Sequence, residues 1–317
     1  MDIIRFLLNI LIFPGALFTI LISLFYAGID RKLVARMQRR VGPPILQPFY
    51  DIFKLFGKET IVPKSGAKKI FLIAPIVGLA SILAVPMFIP SFNGGVFSID
   101  GDVIFILYLL AIPAVAMLIG GMASSSPYAS IGASREVVTM IAYELPLILV
   151  IVAICNKANS FMLQNIISSQ GNLGYMFSIA LLPAAIAFLI IIPAKVGVVP
   201  FDIAEAETEI CEGPLVEYSG VSLALYKITG NVKAYVLSIL FVCFFLGGVG
   251  VTVENLYLNL FLNALIVLVL AGIVMFISIT LVRTTVGRIR SNNIVKFYWK
   301  VPGLLALISV VLVAIGA

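Results

Sequence analysis

The chain has 317 residues, 62% of them hydrophobic and only 11% charged, with a mean hydropathy of +1.16. A soluble domain carries roughly 25% charged residues, so 21 Lys/Arg and 15 Asp/Glu are too few to coat a water-soluble body of this size. A soluble enzyme is thereby excluded. A pI near 9.2 would suit a nucleic-acid partner, but the basic residues sit between apolar runs and form no stripe. The chain reads as an all-α, polytopic membrane protein with a single membrane domain over residues 1–317, embedded in the lipid bilayer.

A hydrocarbon core about 30 Å thick takes roughly 20 apolar residues per helix. Eight stretches qualify, at 6–27, 70–89, 103–122, 137–154, 175–194, 235–253, 256–281 and 299–315. The first is too long for a signal-peptide core and lacks a small-residue cleavage site, so it reads as an uncleaved span. The basic residues then set the orientation. Of 21 Lys/Arg, 19 fall in the connections after the first, third, fifth and seventh spans, leaving Arg5 and Lys157 opposite. Both termini are expected outside, with three long charged connections in the cytoplasm: a basic one at 30–69, an acidic one at 195–234 and a basic one at 282–300. Prolines inside spans (Pro75, Pro86, Pro113, Pro146, Pro183) read as kinks for packing. For Pro146, two residues after Glu144, a break that opens backbone to a polar path is a second reading.

Within the first connection, 47–59 (QPFYDIFKLFGKE) repeats apolar residues at helical spacing, with Asp51, Lys54 and Lys58 opposite. It is too short and too charged to span. An amphipathic helix lying on the cytoplasmic surface fits, either as an interfacial anchor or as a docking helix for a partner.

Glu144 stands inside the fourth span. Counted from Glu136 at its inner end, eight residues place it about 12 Å deep at 1.5 Å per residue. A lone carboxylate at that depth must face a bundle interior or water, or be protonated. Two readings follow: a group that loads and releases protons, or a structural Glu bonded to a neighbouring helix. With no histidine in the chain, any proton path must run over carboxylates.

The acidic connection contains PFDIAEAETEICEGPLVEYSG at 200–220, with Asp202, Glu205, Glu207, Glu209, Glu212 and Glu217. The spacing of 202, 205, 209 and 212 predicts four acids on one helical face. Such a face persists if it meets cations, shares protons or stays solvated. Flanking apolar residues, Pro200 and Gly213-Pro214 favour a short ordered element that returns to the membrane. The connection carries a net charge of −3 and the first one +7, so electrostatics favour the two lying together. A metal site of these carboxylates lacks the Gly around which calcium loops arrange their ligands. Three scattered cysteines (Cys155, Cys211, Cys243) and no His offer no convergent set for zinc, haem or an iron–sulfur cluster. No cofactor is expected in this chain. If the function is redox, the electrons travel in other chains.

Three stretches together resemble one family: DRKLVARMQRRVGPP with QPFYDIFKLFGKE, then ASSSPYASIGASREVVTMIAYELP, then PFDIAEAETEICEGPLVEYSG. The family is the H-type membrane subunit of the NADH-quinone oxidoreductase, respiratory complex I, known as NADH dehydrogenase subunit 1 in mitochondria. The resemblance covers essentially the whole chain. One departure stands out: between Gly42-Pro43 and Leu46-Gln47 only Pro44-Ile45 remains, where complex I subunits carry about six more residues that help form the quinone chamber. The shortened form resembles the homologous subunit of energy-converting membrane-bound [NiFe] hydrogenases and their sulfur-reducing relatives, which take electrons from ferredoxin and use no quinone.

The resemblance implies roles residue by residue. Glu144, Glu136, Asp202, Glu205, Glu207, Glu209, Glu212 and Glu217 would form the proton or ion path, with Glu212 standing where family members usually have a small residue. Arg31, Lys32, Arg36, Arg39, Arg40, Asp51, Lys54 and Lys58 would couple and dock the redox subunits. It also implies the partners: hydrogenase-like large and small subunits with iron–sulfur clusters and, in the hydrogenase case, a NiFe centre, with antiporter-like membrane subunits beside this one. Ferredoxin would act indirectly, and the complex would sit in the cell (plasma) membrane. Two rivals remain, a quinone-binding complex I subunit and a stand-alone secondary transporter, although no internal repeat supports the latter.

Overall fold

Proline and glycine mark the helix ends where backbone geometry favours them. Pro48, Pro127, Pro183 and Pro302 occupy first turns, where a missing N–H costs nothing and the fixed φ suits a helix. Gly197 and Gly316 follow last turns in the left-handed region, with φ of +83° and +89°. The computed structural model describes residues 11, 15–89, 99–170, 175, 178–247 and 256–316.

Among these the chain is all-helical. In order come α1 (Ala16–Met37), α2 (Gln47–Phe56), α3 (Lys68–Ala84) with a 3-10 turn at Val85–Phe88, α4 (Asp102–Ala123), α5 (Pro127–Ala158) and α6 (Leu163–Ser169). Then follow α7 (Leu182–Val196), a single turn α8 (Glu207–Ile210), a 3-10 turn at Gly213–Leu215, and α9 (Gly220–Phe245). The last are α10 (Leu256–Met275), which passes through a π-helical turn (Phe276–Thr280) into α11 (Leu281–Thr285), then α12 (Ser291–Lys300) and α13 (Pro302–Ile315). Six helices are long and apolar enough to cross a membrane: Lys68–Phe88, Asp102–Ala123, Pro127–Ala158, Gly220–Phe245, Leu262–Thr285 and Asn293–Ile315, with Leu182–Val196 shorter. The first half of the span expected at 6–27 lies largely outside the described residues, as do both termini.

The bundle is built around α9. Of its apolar stretch 89% is buried, against 33–50% for the other five long helices, so α9 is the axis and the others form its wall. It packs on α1, α2, α3, α7 and α10. Phe188 of α7 meets Phe241, Phe244 and Phe245 of α9 with ring centroids 5.9–6.2 Å apart. On the other flank Tyr26 of α1 stacks on Tyr235 at 5.7 Å and donates its hydroxyl to the Leu268 carbonyl of α10 at 2.7 Å. Leu17, Leu21, Ile73, Ile76, Ile104 and Phe105 remain exposed on the outer helix faces, where lipid or neighbouring subunits take the place of water.

Three expectations change. The span expected at 235–253 starts fifteen positions earlier, at Gly220, so Lys227 and Lys233 belong to α9 and Lys195 to α7 instead of to a connection. Helix α5 runs unbroken through Pro146, which is buried against α13, so the helix break that would open backbone to a polar path does not form. The four-acid helical face does not form. Only Glu207–Ile210 is helical, and Cys211, Glu212 and Gly213 follow in left-handed geometry with φ of 50°, 69° and 52°. Like charges three and four apart oppose a longer helix, and the acids find separate partners instead.

The connections expected on one side do meet. The Ile61 N–H donates to Ser219 Oγ, which in turn donates to the Glu59 carbonyl. The Ala67 N–H donates to the Ala123 carbonyl. Arg135 reaches Glu209 and Arg288 reaches Asp202. The basic first connection and the acidic one therefore lie together, but serine and backbone hydrogen bonds join them. The acids pair with the other two connections.

Candidate functional site: a charged cavity and a buried ion pair

The acidic segment is a knot pinned at both ends. Gly213 lets the chain turn against the Ala204 carbonyl, which occupies the place a Cβ would need. Downstream, Tyr218 stacks on Phe71 at 4.0 Å and donates to its carbonyl at 3.1 Å, which fixes the segment to α3. Asp202 takes Arg288 Nε and Nη2 at 2.9 Å each, while Nη2 also bonds the Asp202 carbonyl at 2.8 Å. This planar fork is the geometry guanidinium favours. Glu209 takes Arg135 Nη1 at 2.6 Å. That hydrogen bond and charge hold its carboxyl below the usual range.

The remaining acids part company. Glu205, Glu207 and Glu212 line a cavity of about 310 Å³ together with Asp30, Arg31, Lys227, Lys233 and Arg283. Glu217 is exposed and lies off the cavity wall. Glu205 points into protein. Burial, and then the negative charges of Glu136, Glu212 and Asp202, push its carboxyl up to about 7, with Lys233 acting the other way. A carboxyl raised that far is a group whose charge changes near neutral pH.

Beyond the cavity the charges continue inward. Lys233 of α9 is buried and donates to the Lys195 carbonyl at 3.2 Å, within Coulombic reach of Glu136 on α5. Lys195 ends α7, and its ammonium donates to Glu144 Oε1 at 2.7 Å. The lysine side chain is 1% exposed and the glutamate 19%, so the pair is sealed on the lysine side and open on the other. The ammonium also lies 5.2 Å from the Tyr143 ring centroid, a favourable cation–π placement. A buried pair of this kind offsets much of the desolvation cost that either charge alone would carry.

Glu144 and Glu136 thus sit on one helix, ten and more residues into α5, and join the cavity acids through two lysines. Sequence reasoning missed Lys195 and Lys233 because it placed both in a connection. Their signal was present: Lys195 closes an apolar run just before Gly197, and no breaker other than Gly230 interrupts 220–245. It missed a third contact as well. Asp30, buried near the end of α1, accepts Thr280 Oγ1 at 2.6 Å from the π-helical turn and Arg283 Nη1 at 3.4 Å.

The residues expected to dock partners form the exposed rim. Arg31 pairs with Asp51 at 2.7 Å. Partial burial works against ionisation of Asp51, but the hydrogen bonds from Arg31 and Gln47 outweigh it and hold the carboxyl below its usual range. Arg36, Arg39, Arg40, Lys54 and Lys58 are exposed and Lys32 half-buried, and Arg40 bonds Gln38. Among the described residues no group of three or more His, Cys, Asp or Glu side chains is placed to hold a metal ion.

An apolar bundle whose charged face leads through a cavity to ion-paired groups deep in the helices defines a class: polytopic membrane proteins with an internal polar route. Comparison with known proteins then gives the family. The family model described as NADH dehydrogenase matches residues 9–314, and the chain belongs to that family. It is 35% identical to hydrogenase-4 component C of Escherichia coli (strain K12) over 288 residues, covering 90% of this chain and 89% of that one. It is 33% identical to the H-type subunit of NADH-quinone oxidoreductase of Rickettsia typhi (strain ATCC VR-144 / Wilmington) over 292 residues, covering 90% and 86%. Among solved structures it matches a chain of the membrane-bound sulfane sulfur reductase, an archaeal respiratory membrane complex. The TM-score is 0.87 at 33% identity, with 98% of each chain covered. The chain is a membrane subunit of the complex I-like kind.

Proposed function

We propose that the chain is the membrane anchor and coupling subunit of a ferredoxin-dependent, complex I-like complex of the membrane-bound hydrogenase or sulfur-reductase type in the plasma membrane. It would dock a cytoplasmic redox module, built of hydrogenase-like large and small subunits with their iron–sulfur clusters, on the charged rim, beside antiporter-like membrane subunits. The observation that carries this reading is a series of charged groups within Coulombic reach of one another, from Glu205 in the cavity by Lys233 and Glu136 to Lys195, which pairs directly with Glu144. A charge change at a redox centre above the cavity shifts the proton affinity of Glu205. Unit charges 4 Å apart interact by about 4 kcal/mol at an effective dielectric of 20, and one pKa unit needs only about 1.4 kcal/mol. The perturbation then passes inward to Glu144, whose exposed side faces the lipid or a neighbouring subunit.

The test replaces Glu144 by Gln in the assembled complex and follows ion pumping beside electron transfer. Pumping is expected to fall to background while electron transfer through the redox module persists. Undiminished pumping removes Glu144 from the route.

The likeness to a subunit of a quinone oxidoreductase favours a second reading, in which the cavity takes a quinone. Against it, residues 41–47 contribute nothing to the cavity wall, and Ile45 instead packs its carbonyl against Gly28 of α1. Photo-crosslinking with a quinone probe separates the two: labelling at 42–47 supports the quinone reading, and its absence supports ours.

A further inference from the structure

The pairing of Glu144 bears on which ion the route can carry, an inference that rests on the coupling role proposed above. Glu144 Oε1 already holds a cation, the Lys195 ammonium at 2.7 Å, in a setting where that lysine side chain is 1% exposed. Of the elements packed on α7, α5 brings Tyr143 and Glu136 and α9 brings Lys233. The hydroxyls of Ser278 and Thr280 in the π-helical turn and of Ser309 in α13 are spent on the Val274 carbonyl, Asp30 and the Ala180 carbonyl, and the Tyr298 hydroxyl of α12 is spent on the Ile190 carbonyl at 3.0 Å. Two of these groups, counting Lys195, are ammonium ions and only one is a second carboxylate.

A Na⁺ ion needs several oxygen ligands and an uncompensated negative charge. At Glu144 it would meet a second cation within contact distance and leave a net positive charge buried, which low-dielectric surroundings penalise heavily. A proton needs neither ligands nor space. It can join the carboxylate, leave the ammonium, or pass between them along the existing hydrogen bond. We propose that Lys195 determines the ion specificity of this route: its ammonium occupies the place a Na⁺ would take on Glu144, so the site passes protons and refuses sodium.

The experiment uses the assembled complex in proteoliposomes and records infrared difference spectra on exchange of choline chloride for NaCl at fixed pH and ionic strength. The Glu144 carboxylate band is identified as the one lost in E144Q. In the wild type, Na⁺ is expected to leave that band unchanged. In K195M, where the resident cation is gone, Na⁺ is expected to perturb it, and K195R, which restores a cation, is expected to be silent again. A sodium-induced Glu144 band in the wild type overturns the proposal even if K195M fails to assemble. Its absence from an assembled K195M overturns it too, since Lys195 would then not be what keeps sodium out. Failure of the coupling role is read separately, from pumping in E144Q.

Discussion

Lys195 and Glu144 come from helices whose contact the linear sequence does not announce, and each makes the other tolerable inside the bundle. Truncating Lys195 to Ala leaves Glu144 without a counter-charge. Breaking a buried pair costs about 3–5 kcal/mol, so K195A is expected to lower the unfolding free energy by an amount of that order. The double variant K195A/E144Q removes both charges and is expected to recover most of the loss. Denaturant unfolding of the detergent-solubilised protein measures both, and equal loss in the single and double variants would show that the pair contributes nothing. At the cavity, Glu205 titrates near 7 in the folded chain, above the ordinary 4.5. A group with a raised folded pKa contributes stability that is complete below its unfolded pKa and is lost as pH rises through the folded one. Wild type and E205Q should therefore have the same difference in unfolding midpoint at every pH below about 4.5. Between there and about pH 8 the wild type should decline relative to the variant. A pH-independent difference across the whole range would mean that Glu205 titrates normally.

At the scale of elements, two glycines have opposite prospects. On α5, a Cβ at Gly132 would lie 2.5 Å from Pro214 Cδ and 2.8 Å from Gly213 Cα, so the 3-10 turn of the acidic knot would have to move. Gly132→Ala is expected to destabilise by about 1–3 kcal/mol, as overpacking does, and to loosen the neighbouring Arg135–Glu209 pair. Gly230 on α9 has nothing within 4 Å of such a Cβ. Gly230→Ala removes backbone freedom from the unfolded chain and is expected to stabilise by about 0.4–1 kcal/mol. Thermal midpoints of the two variants should move in opposite directions from wild type. Much of the element pattern was legible in the sequence, because lengths of apolar residue follow bilayer thickness directly: 70–89 and 103–122 fall within two residues of the observed helices. The start of α9 was harder to read, although no breaker other than Gly230 interrupts 220–245. Lys227 and Lys233 look like loop charges until tertiary contacts bury one of them.

For the whole molecule, the apolar exterior and the charged end have separate tasks. The exterior needs lipid or neighbouring subunits. At the charged end Arg135–Glu209, Arg283–Asp30 and Arg288–Asp202 tie the connections together, while Arg31–Asp51 closes the first one on itself; these pairs hold in place the rim proposed above as the docking surface. Its exposed pairs add little stability on their own, since surface ion pairs contribute about 0–1 kcal/mol. Among the described residues the charged succession that starts at the cavity ends at Glu144. Purified alone in liposomes, the chain is therefore expected to carry no net H⁺ or Na⁺ current, as measured with a pH-sensitive dye and with sodium tracer. Transport by the isolated chain would make it a self-sufficient transporter.

The sequence by itself determined the membrane class, the positions of most spans, the common side of the charged connections and the identity of the acidic residues. Hydropathy and charge bias act locally along the chain, so no fold is needed to read them. Tertiary structure decided how those acids are divided. Asp202 and Glu209 are held by arginines, Glu205, Glu207 and Glu212 face a cavity, and Glu144 is neutralised by a lysine 51 positions away. Pairing energy depends on distance in space, and residues that far apart along the chain approach one another only when the helices pack.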